Sequence, residues 1–302
     1  MKCVLCPRKC GIDRTSQTGY CGGGSRARVA RASLHMWEEP CISGVSGSGT
    51  VFFSGCPLKC VFCQNREIAS GNRGRELTDL QLAKLFLLLQ DKGAANINLV
   101  TPTHYTPQIA EAVSAAKSQG LAIPIVYNTS GYERVETLRL LEGLVDIYLP
   151  DLKYYSAELS ARYSNAPDYF GVASRAVAEM VRQVGTPLFD DALSGEKMMR
   201  RGVIVRHMVM PGHVRDSKEV VRYLYNTYKE DIYISIMNQY TPPDALCGYP
   251  EIGRRVTRRE YEKVVDYAIE LGVVNAFVQE GDTAKESFIP DFSEDVYLKE
   301  VL

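Results

Sequence analysis

The chain has 302 residues, of which 45% are hydrophobic and 24% are charged. These proportions are ordinary for globular proteins, and they exclude a disordered or low-complexity chain. Lys and Arg number 35 against 36 Asp and Glu, which gives a net charge of -1. No overall positive field therefore attracts nucleic acid or an anionic membrane, and we expect neither among the partners.

The apolar segments are short. The longest unbroken run, residues 85–89, has five residues, whereas a membrane-spanning helix needs about 20. The beginning of the sequence has no apolar stretch of signal-peptide length. These features predict a cytoplasmic protein.

The cysteines are concentrated near the start, where eight of nine lie within the first 63 residues. Disulfide scaffolds are typical of small secreted domains, whereas clustered thiols in a cytoplasmic chain more often bind metal or carry out redox chemistry. Cys41 and Cys247 stand apart from the clusters, and we expect them to be small buried residues. The other cysteines point to metal centres.

From residue 50 onward, short apolar segments alternate with amphipathic ones, which is typical of a parallel sheet buried on both faces. The predicted strands are residues 50–54, 97–100, 123–127, 146–149, 203–209 and 232–237. Thr78 with Gln81 and Thr257 with Glu260 have the spacing of helix capping boxes. The pattern predicts an α/β fold, a right-handed partial (β/α)6-type barrel whose ligands bind at the C-terminal strand ends.

The sequence divides into two predicted parts. Residues 1–49 form a small cysteine-rich, metal-binding segment with a lead-in to the barrel. Residues 50–302 form the barrel and a C-terminal extension.

The strongest chemical signal follows the first predicted strand, where Cys56, Cys60 and Cys63 have CxxxCxxC spacing. Three thiolates in one tight loop can hold three corners of a cubane iron–sulfur cluster, and the fully ligated clusters of electron carriers use four. One iron is then left open to bind a ligand. The alternative is a zinc site with a fourth ligand elsewhere, although zinc sites usually combine two CxxC pairs.

The loop sequence GCPLKCVFCQN resembles the signature of the radical S-adenosylmethionine (SAM) enzymes, with Phe62 as the aromatic residue before the last cysteine. Over about residues 50–240, the chain is most similar to the branch that contains the pyruvate formate-lyase activating enzyme. The resemblance implies a [4Fe-4S] cluster on the three cysteines. It also implies SAM bound at the open iron.

Three further motifs carry the resemblance: YNTSGY at residues 127–132, DLK at 151–153 and RHMVMPG at 206–212. SAM presents an ammonium, a carboxylate, a sulfonium and a ribose diol, so its pocket needs acceptors, cationic donors and hydroxyl partners on one face. Residues of these motifs supply that set, and the candidates for binding SAM are Asn128, Thr129, Asp151, Lys153 and Arg206. An ordinary ion pair at a strand end remains the alternative for Asp151 and Lys153.

One motif departs from the family pattern. The family commonly has GGE after the second strand, where it holds the amino group of SAM, but here the predicted strand leads into TPTHY at residues 101–105. Backbone carbonyls of this loop, or the hydroxyls of Thr101 and Thr103, are candidates to replace the acidic contact. His104 is a further candidate for the cofactor site, with a structural role as the alternative.

A second group of thiols precedes the barrel, where Cys3, Cys6, Cys10 and Cys21 have CxxCxxxCx(10)C spacing. This segment has almost no apolar core, so it needs a bound ion to fold stably. Four thiolates suit both a structural zinc ion and a second [4Fe-4S] cluster. The spacing leaves these two metals open.

By resemblance, the expected activity is reductive cleavage of SAM to methionine and a 5′-deoxyadenosyl radical that abstracts hydrogen from a substrate. The substrate implied by the nearest branch is a glycine of a partner glycyl radical enzyme. The alternatives are a radical reaction on a small molecule and a non-catalytic iron–sulfur or zinc protein for electron transfer. The enzyme would take its electron from a low-potential flavodoxin or ferredoxin.

Overall fold

The computed structural model describes residues 2–191, 197–243, 246, 248–279, 292 and 297–302. Its strands are β1 (Ala27–His35), β2 (Ser48–Phe53), β3 (Arg75–Leu77), β4 (Ile97–Val100), β5 (Ile125–Thr129), β6 (Ile147–Pro150), β7 (Leu188–Asp191), β8 (Lys197–Met208), β9 (Tyr233–Met237) and β10 (Ala276–Val278). They form one sheet in the order β10-β9-β8-β6-β5-β4-β2-β1-β3, and β7 pairs with β8. The sheet is unclosed, so the architecture is a partial barrel.

The helices of the described residues follow the strands in the expected alternation. They are α1 (Pro40–Ser43), α2 (Arg66–Ala69), α3 (Asp79–Asp91), α4 (Thr106–Ser118), α5 (Val135–Leu138), α6 (Ala157–Ser164), α7 (Tyr169–Val184), α8 (Val214–Tyr228), α9 (Arg258–Leu271) and α10 (Leu298–Val301). Both predicted capping boxes are present, at Thr78 before α3 and at Thr257 before α9. None of these helices has the length and apolar composition needed to cross a bilayer.

All six predicted parallel strands occur, as β2, β4, β5, β6, β8 and β9, and each pairs in parallel with its neighbour. The sheet has further strands that the periodicity did not predict. β1 pairs antiparallel with β2 and β3, and β7 forms an antiparallel pair with the start of β8. β1 was missed because its sequence ARVARASLH interleaves alanines and arginines, so it lacks the apolar run of a buried parallel strand.

Alternate residues of each strand face opposite sides of the sheet. The helix-covered side carries the main core, which includes Val51, Leu99, Tyr127, Val203 and Ile234. The inner side carries a smaller apolar cluster with Val126, Ile147, Leu149 and Ile204. Toward the C-terminal strand ends, the inner side becomes polar and lines a cavity.

Residues 36–43, here called the floor segment, close the inner side from the N-terminal strand ends. β1 brings the chain to this edge, because His35 pairs with Ser48 at the start of β2. Cys41 and Ile42 of the segment then join the inner apolar cluster, and the Asn96 side chain donates a hydrogen bond to the Ile42 carbonyl at 2.7 Å. Cys41 is buried as expected, and Cys247 lies outside the described residues.

Candidate functional site

A cavity of about 240 Å³ lies on the inner side of the sheet, at the C-terminal strand ends. Most of the predicted site residues of the barrel line it: Cys56, Cys60, Phe62, Cys63, Thr101, Asn128, Thr129, Asp151, Lys153 and Arg206. They come from the loop after β2 and from the ends of β4, β5, β6 and β8. Parallel strands bring these positions to one edge of the sheet, as the barrel architecture requires.

The cysteine loop is shaped by its own backbone. Lys59 adopts a left-handed conformation with φ of 53°, which turns the chain between the first two cysteines. The Leu58 N–H lies 3.4 Å from the Cys56 sulfur, and the Ser164 hydroxyl donates to the Cys60 sulfur at 3.0 Å. The loop therefore presents its thiols to the cavity with hydrogen-bond donors behind them.

Burial favours the neutral form of two of these thiols, Cys60 and Cys63, when no metal is bound. Burial raises the pKa of the Cys60 thiol to about 11 and that of Cys63 to about 12. Thiolates are the metal-binding form of cysteine, and a bound metal deprotonates its thiol ligands. Metal binding at this loop is therefore expected to release protons.

The donor set fits an iron–sulfur cluster with one open iron. Three thiols line the cavity, and no fourth cysteine is among its described lining residues. Within the described part of the chain, no three His, Cys, Asp or Glu side chains are arranged to hold a single metal ion. A cubane instead takes each thiolate at a separate iron, which matches three thiols distributed along one loop.

Opposite the loop, Arg206 is the centre of a buried polar network. Its guanidinium donates to Asp151 at 3.1 Å, to Glu38 at 3.2 Å and to the Asn128 amide oxygen at 2.6 Å. Lys153 donates to the second Asp151 oxygen at 2.5 Å. Burial alone would raise the pKa of Asp151, but Lys153 and Arg206 together hold that pKa below its usual range. The network therefore presents ionised groups of both signs to a zwitterionic ligand.

Glu38 is the acidic residue in the described lining of the cavity that sequence reasoning missed. It belongs to the floor segment and reaches the cavity, where Asn98 and Asn128 donate to its carboxylate at 3.0 and 3.2 Å. Its side chain is 10% exposed. The available signal was the adjacent acid pair in WEEP after a strand-forming segment, but that strand was not predicted.

Thr101, Thr103 and His104 follow β4 but occupy different environments. Thr101 lines the cavity with a left-handed backbone, φ 58°, a strained conformation for a β-branched residue that is often found at functional sites. Thr103 and His104 are buried and do not line the cavity in the structure. Thr103 donates to Glu133 at 2.5 Å, and His104 donates from Nε2 to the Ser54 carbonyl at 2.8 Å.

Through its contact with the Ser54 carbonyl, His104 helps to hold the cysteine loop in position. Burial lowers its pKa to about 4, so the imidazole is neutral and its Nε2 proton is committed to the carbonyl two residues before Cys56. Arg14 donates to the His104 backbone carbonyl at 2.5 Å. The structural alternative for His104 thus describes its position better than contact with the cofactor.

The N-terminal cysteines lie close together behind the cysteine loop. The sulfurs of Cys10 and Cys21 both lie close to Gly19, where a Cβ atom would come within 3.3 and 3.4 Å of them. Cys3 is near enough to Cys6 and Cys21 to raise the pKa of both, an effect secondary to that of burial. The four thiols thus form one group, as their spacing predicted.

This group is joined to the cysteine loop by direct backbone contact. The Cys56 N–H donates to the Cys21 carbonyl at 3.0 Å. Gly55, with φ of 94°, packs so closely that a Cβ atom would come within 2.5 Å of that same carbonyl. Only glycine accommodates this approach, so the two cysteine groups are neighbours through the backbone.

Comparison with protein families matches residues 50–224 to the Radical SAM superfamily. An uncharacterized protein of Methanocaldococcus jannaschii is 30% identical over 275 residues, which cover 88% of this chain and 74% of the relative. The pyruvate formate-lyase-activating enzyme of Clostridium pasteurianum is 26% identical over 197 residues, 61% of this chain and 72% of that enzyme.

A solved structure has the same fold. Streptococcus suis SuiB bound to S-adenosylmethionine superposes with a TM-score of 0.52 and 17% sequence identity, over 75% of this chain. The matched part is 48% of SuiB, so this chain corresponds to about half of that protein. At this identity the likeness concerns the fold alone.

Proposed function

The chain belongs to the radical SAM superfamily, and we propose that it cleaves SAM reductively to start a hydrogen abstraction. The observation that carries the proposal is the single cavity in which the three loop thiols face the Arg206 network. Thiols that could hold a metal centre and polar groups that could bind a zwitterion are combined there, at the C-terminal strand ends. This is the part of such a fold where enzymes bind their ligands.

In this proposal, Cys56, Cys60 and Cys63 hold a [4Fe-4S] cluster. Such a cluster would supply an open iron for the cofactor and the electron for its reductive cleavage. Asp151 and Glu38 offer acceptors to cationic groups of the cofactor. Lys153 and Arg206 offer donors to its carboxylate and hydroxyls.

The other predicted residues shape the site. Phe62 is buried against the rings of Tyr154 and Tyr240, with ring centroids 6.5 and 5.9 Å away, and so holds the last cysteine of the loop in position. Asn128 connects Arg206 to Glu38 through its amide. Thr101 and Thr129 present polar groups at the neighbouring strand ends. Together these side chains orient the cofactor and exclude water.

The Cys60→Ala variant tests the ligand assignment. After anaerobic reconstitution with iron and sulfide and reduction by dithionite, the wild type is expected to form 5′-deoxyadenosine from SAM. The variant is expected to lose both this product and the part of the electron paramagnetic resonance signal that belongs to the loop cluster, while a cluster on the N-terminal cysteines would keep its own signal. Cys41→Ala, which removes a buried thiol outside the cavity, is the matched control and should retain both. Turnover by Cys60→Ala would contradict the assignment.

We propose two candidate substrates that one experiment separates: a glycyl radical enzyme, which the relation to the Clostridium activating enzyme supports, and a small molecule. The test incubates the reduced protein and SAM with a candidate partner enzyme and records its spin resonance spectrum. A glycine-centred radical on the partner supports the glycyl radical enzyme. Formation of 5′-deoxyadenosine without such a signal favours a small-molecule substrate. No cleavage at all would favour a non-catalytic electron carrier.

For the N-terminal thiols we propose a second [4Fe-4S] cluster, with zinc as the alternative. The four thiols lie behind the active-site loop, so their metal would share the iron and sulfide supply that the loop requires. Anaerobic metal and sulfide analysis of the wild type separates the two outcomes: about eight iron and eight sulfide per chain, or about four of each with one zinc. A low-potential flavodoxin or ferredoxin is the proposed electron donor.

A further inference from the structure

A second cavity, of about 370 Å³, lies beside the cofactor cavity. It is bounded by the floor segment and by β8, β9 and β10, and we call it the floor chamber. The two cavities share Trp37, Glu38, Arg206, Met237 and Gln239 as lining residues, so they are adjacent along this wall. A volume of this size is in the range of small-molecule binding sites.

The floor chamber contains a carboxylate that the cofactor cavity does not reach. Glu39 lines the chamber, and its Oε2 atom is buried without a hydrogen-bond partner among the described residues. Burial and the neighbouring Glu38 raise the pKa of this carboxyl, the charge of Arg206 and a hydrogen bond from Ser235 lower it, and the net shift is upward. The ionised form is therefore costly to bury until a cationic donor pairs with the free Oε2 atom.

Arg206 and Lys153, the cations in the described lining of the two cavities, are already engaged by other groups. The Arg206 guanidinium donates to Asp151, Glu38 and Asn128, and it acts on Glu39 only through its charge. Lys153 is paired with Asp151. Three carboxylates therefore face two cations in the described lining of the two cavities, and Glu39 is the carboxylate left without a cation of its own.

We infer that the floor chamber is a substrate site for a small molecule with an ammonium or guanidinium group, which pairs with Glu39. Such a group supplies both the missing positive charge and the missing hydrogen-bond donor. The rest of the ligand extends past Met237 toward the cofactor cavity, where the reacting carbon would lie. This inference rests on the proposed radical chemistry and selects a small cation over a protein glycine as its substrate.

The protein contains an intrinsic fluorescent probe for ligand binding at this site. Trp37 is the single tryptophan of the sequence, and it lines both cavities. Ligand entry into the floor chamber is therefore expected to change the intrinsic tryptophan fluorescence. The signal needs no knowledge of the natural substrate and does not depend on turnover.

The experiment titrates the reconstituted protein, with SAM present, with n-butylammonium and with 1-butanol, a neutral molecule of nearly the same shape. The wild type should bind n-butylammonium at least about tenfold more tightly, by fluorescence and by calorimetry. Glu39→Gln should lose most of this preference while its affinity for butanol stays unchanged. Glu67→Gln, which alters an exposed glutamate outside both cavities, should behave like the wild type.

Equal binding of the two probes by the wild type would overturn the inference, even if Glu39→Gln failed to fold. A preference that survives in a folded Glu39→Gln protein would also overturn it. Cleavage of SAM in the absence of substrate is measured on the same samples. Loss of cleavage in the wild type with the amine preference intact would refute the proposed function and leave the floor chamber as a cation site.

Discussion

Glu133 is a buried carboxylate that links the cofactor cavity to the surrounding protein. Both Thr103 and Thr129 donate to its Oε1 atom at 2.5 Å, and Thr129 lines the cavity. Its Oε2 atom has no partner among the described residues. Burial raises the pKa of Glu133 to about 7, although the two threonine hydroxyls act to lower it. Its protonation therefore changes next to the site near neutral pH.

This pKa predicts how stability depends on pH. Between about pH 4.5 and about pH 7, folded Glu133 holds a proton that the unfolded chain releases, so its contribution falls as the pH rises through this window. The amide of Glu133→Gln does not titrate. Urea unfolding should show the variant gaining roughly 3 kcal/mol relative to the wild type across the window. Parallel pH profiles for the two proteins would contradict the raised pKa of Glu133. The control is Glu111→Gln, at an exposed position, which should follow the wild-type profile.

Helix ends illustrate how local sequence controls an element. At α9, the Thr257 hydroxyl accepts from the Glu260 N–H at 3.3 Å, and the Glu260 carboxylate accepts from the Thr257 N–H at 2.9 Å. Arg254 donates to the same carboxylate. These contacts satisfy backbone donors that a helix start leaves unpaired. The first turn of α9 is therefore capped by the local residues 254–260, and the same Glu260 carboxylate also accepts from the distant Gly212 N–H at 2.8 Å.

Removal of this cap should cost stability. We expect Thr257→Ala to lower the free energy of unfolding by about 1 kcal/mol, measured by urea titration. Thr227→Ala, in the exposed last turn of α8, makes the same chemical change without removing a cap. It should leave stability unchanged or raise it slightly, because alanine favours helix. Equal losses in the two variants would show that the capping box contributes nothing.

The N-terminal segment is attached to the barrel by contacts between residues far apart in the chain. Arg8 donates to the carbonyls of Pro57, Ser164 and Asn165 at 2.8, 3.0 and 2.5 Å, and its guanidinium lies 4.5 Å from the centre of the Tyr20 ring. Ser164 in turn donates to the Cys60 sulfur. One side chain thus connects the N-terminal cysteine-rich segment, the cysteine loop and the end of α6.

Loss of Arg8 should make the cysteine loop more mobile. In Arg8→Ala, three carbonyls lose a charged donor, and we expect the free energy of unfolding to fall by about 2 to 3 kcal/mol. Amide hydrogen exchange of residues 56–63 should accelerate, because the loop loses the hydrogen bond from Arg8 to the Pro57 carbonyl. Arg26→Ala, at an exposed position of the same segment, should show neither change. Unaltered exchange in Arg8→Ala would mean that the segment does not support the loop.

Local sequence was sufficient for much of this architecture. The six parallel strands were predictable because each is a short apolar run, and the capping boxes because their spacing is local. The CxxxCxxC loop was predictable for the same reason, since ligand spacing for a cluster lies within eight residues. Placement of Asn128, Asp151 and Arg206 at one cavity followed from parallel topology, which brings C-terminal strand ends to the same edge.

The sequence alone does not show which residues far apart in the chain come into contact. β1 was missed because alanine and arginine interrupt its few larger apolar residues. The floor segment that follows it, which brings Glu38 and Glu39 to the inner side of the barrel, was missed with it. His104 and Thr103 looked like cavity residues by position, yet one turn of backbone after β4 directs them into the protein. The backbone contact between Cys21 and Cys56 could not be predicted from the sequence either. Composition and spacing determined the helices, the strands and the spacing of the cysteine loop, whereas burial and charge pairing between distant segments exist only once the chain has folded.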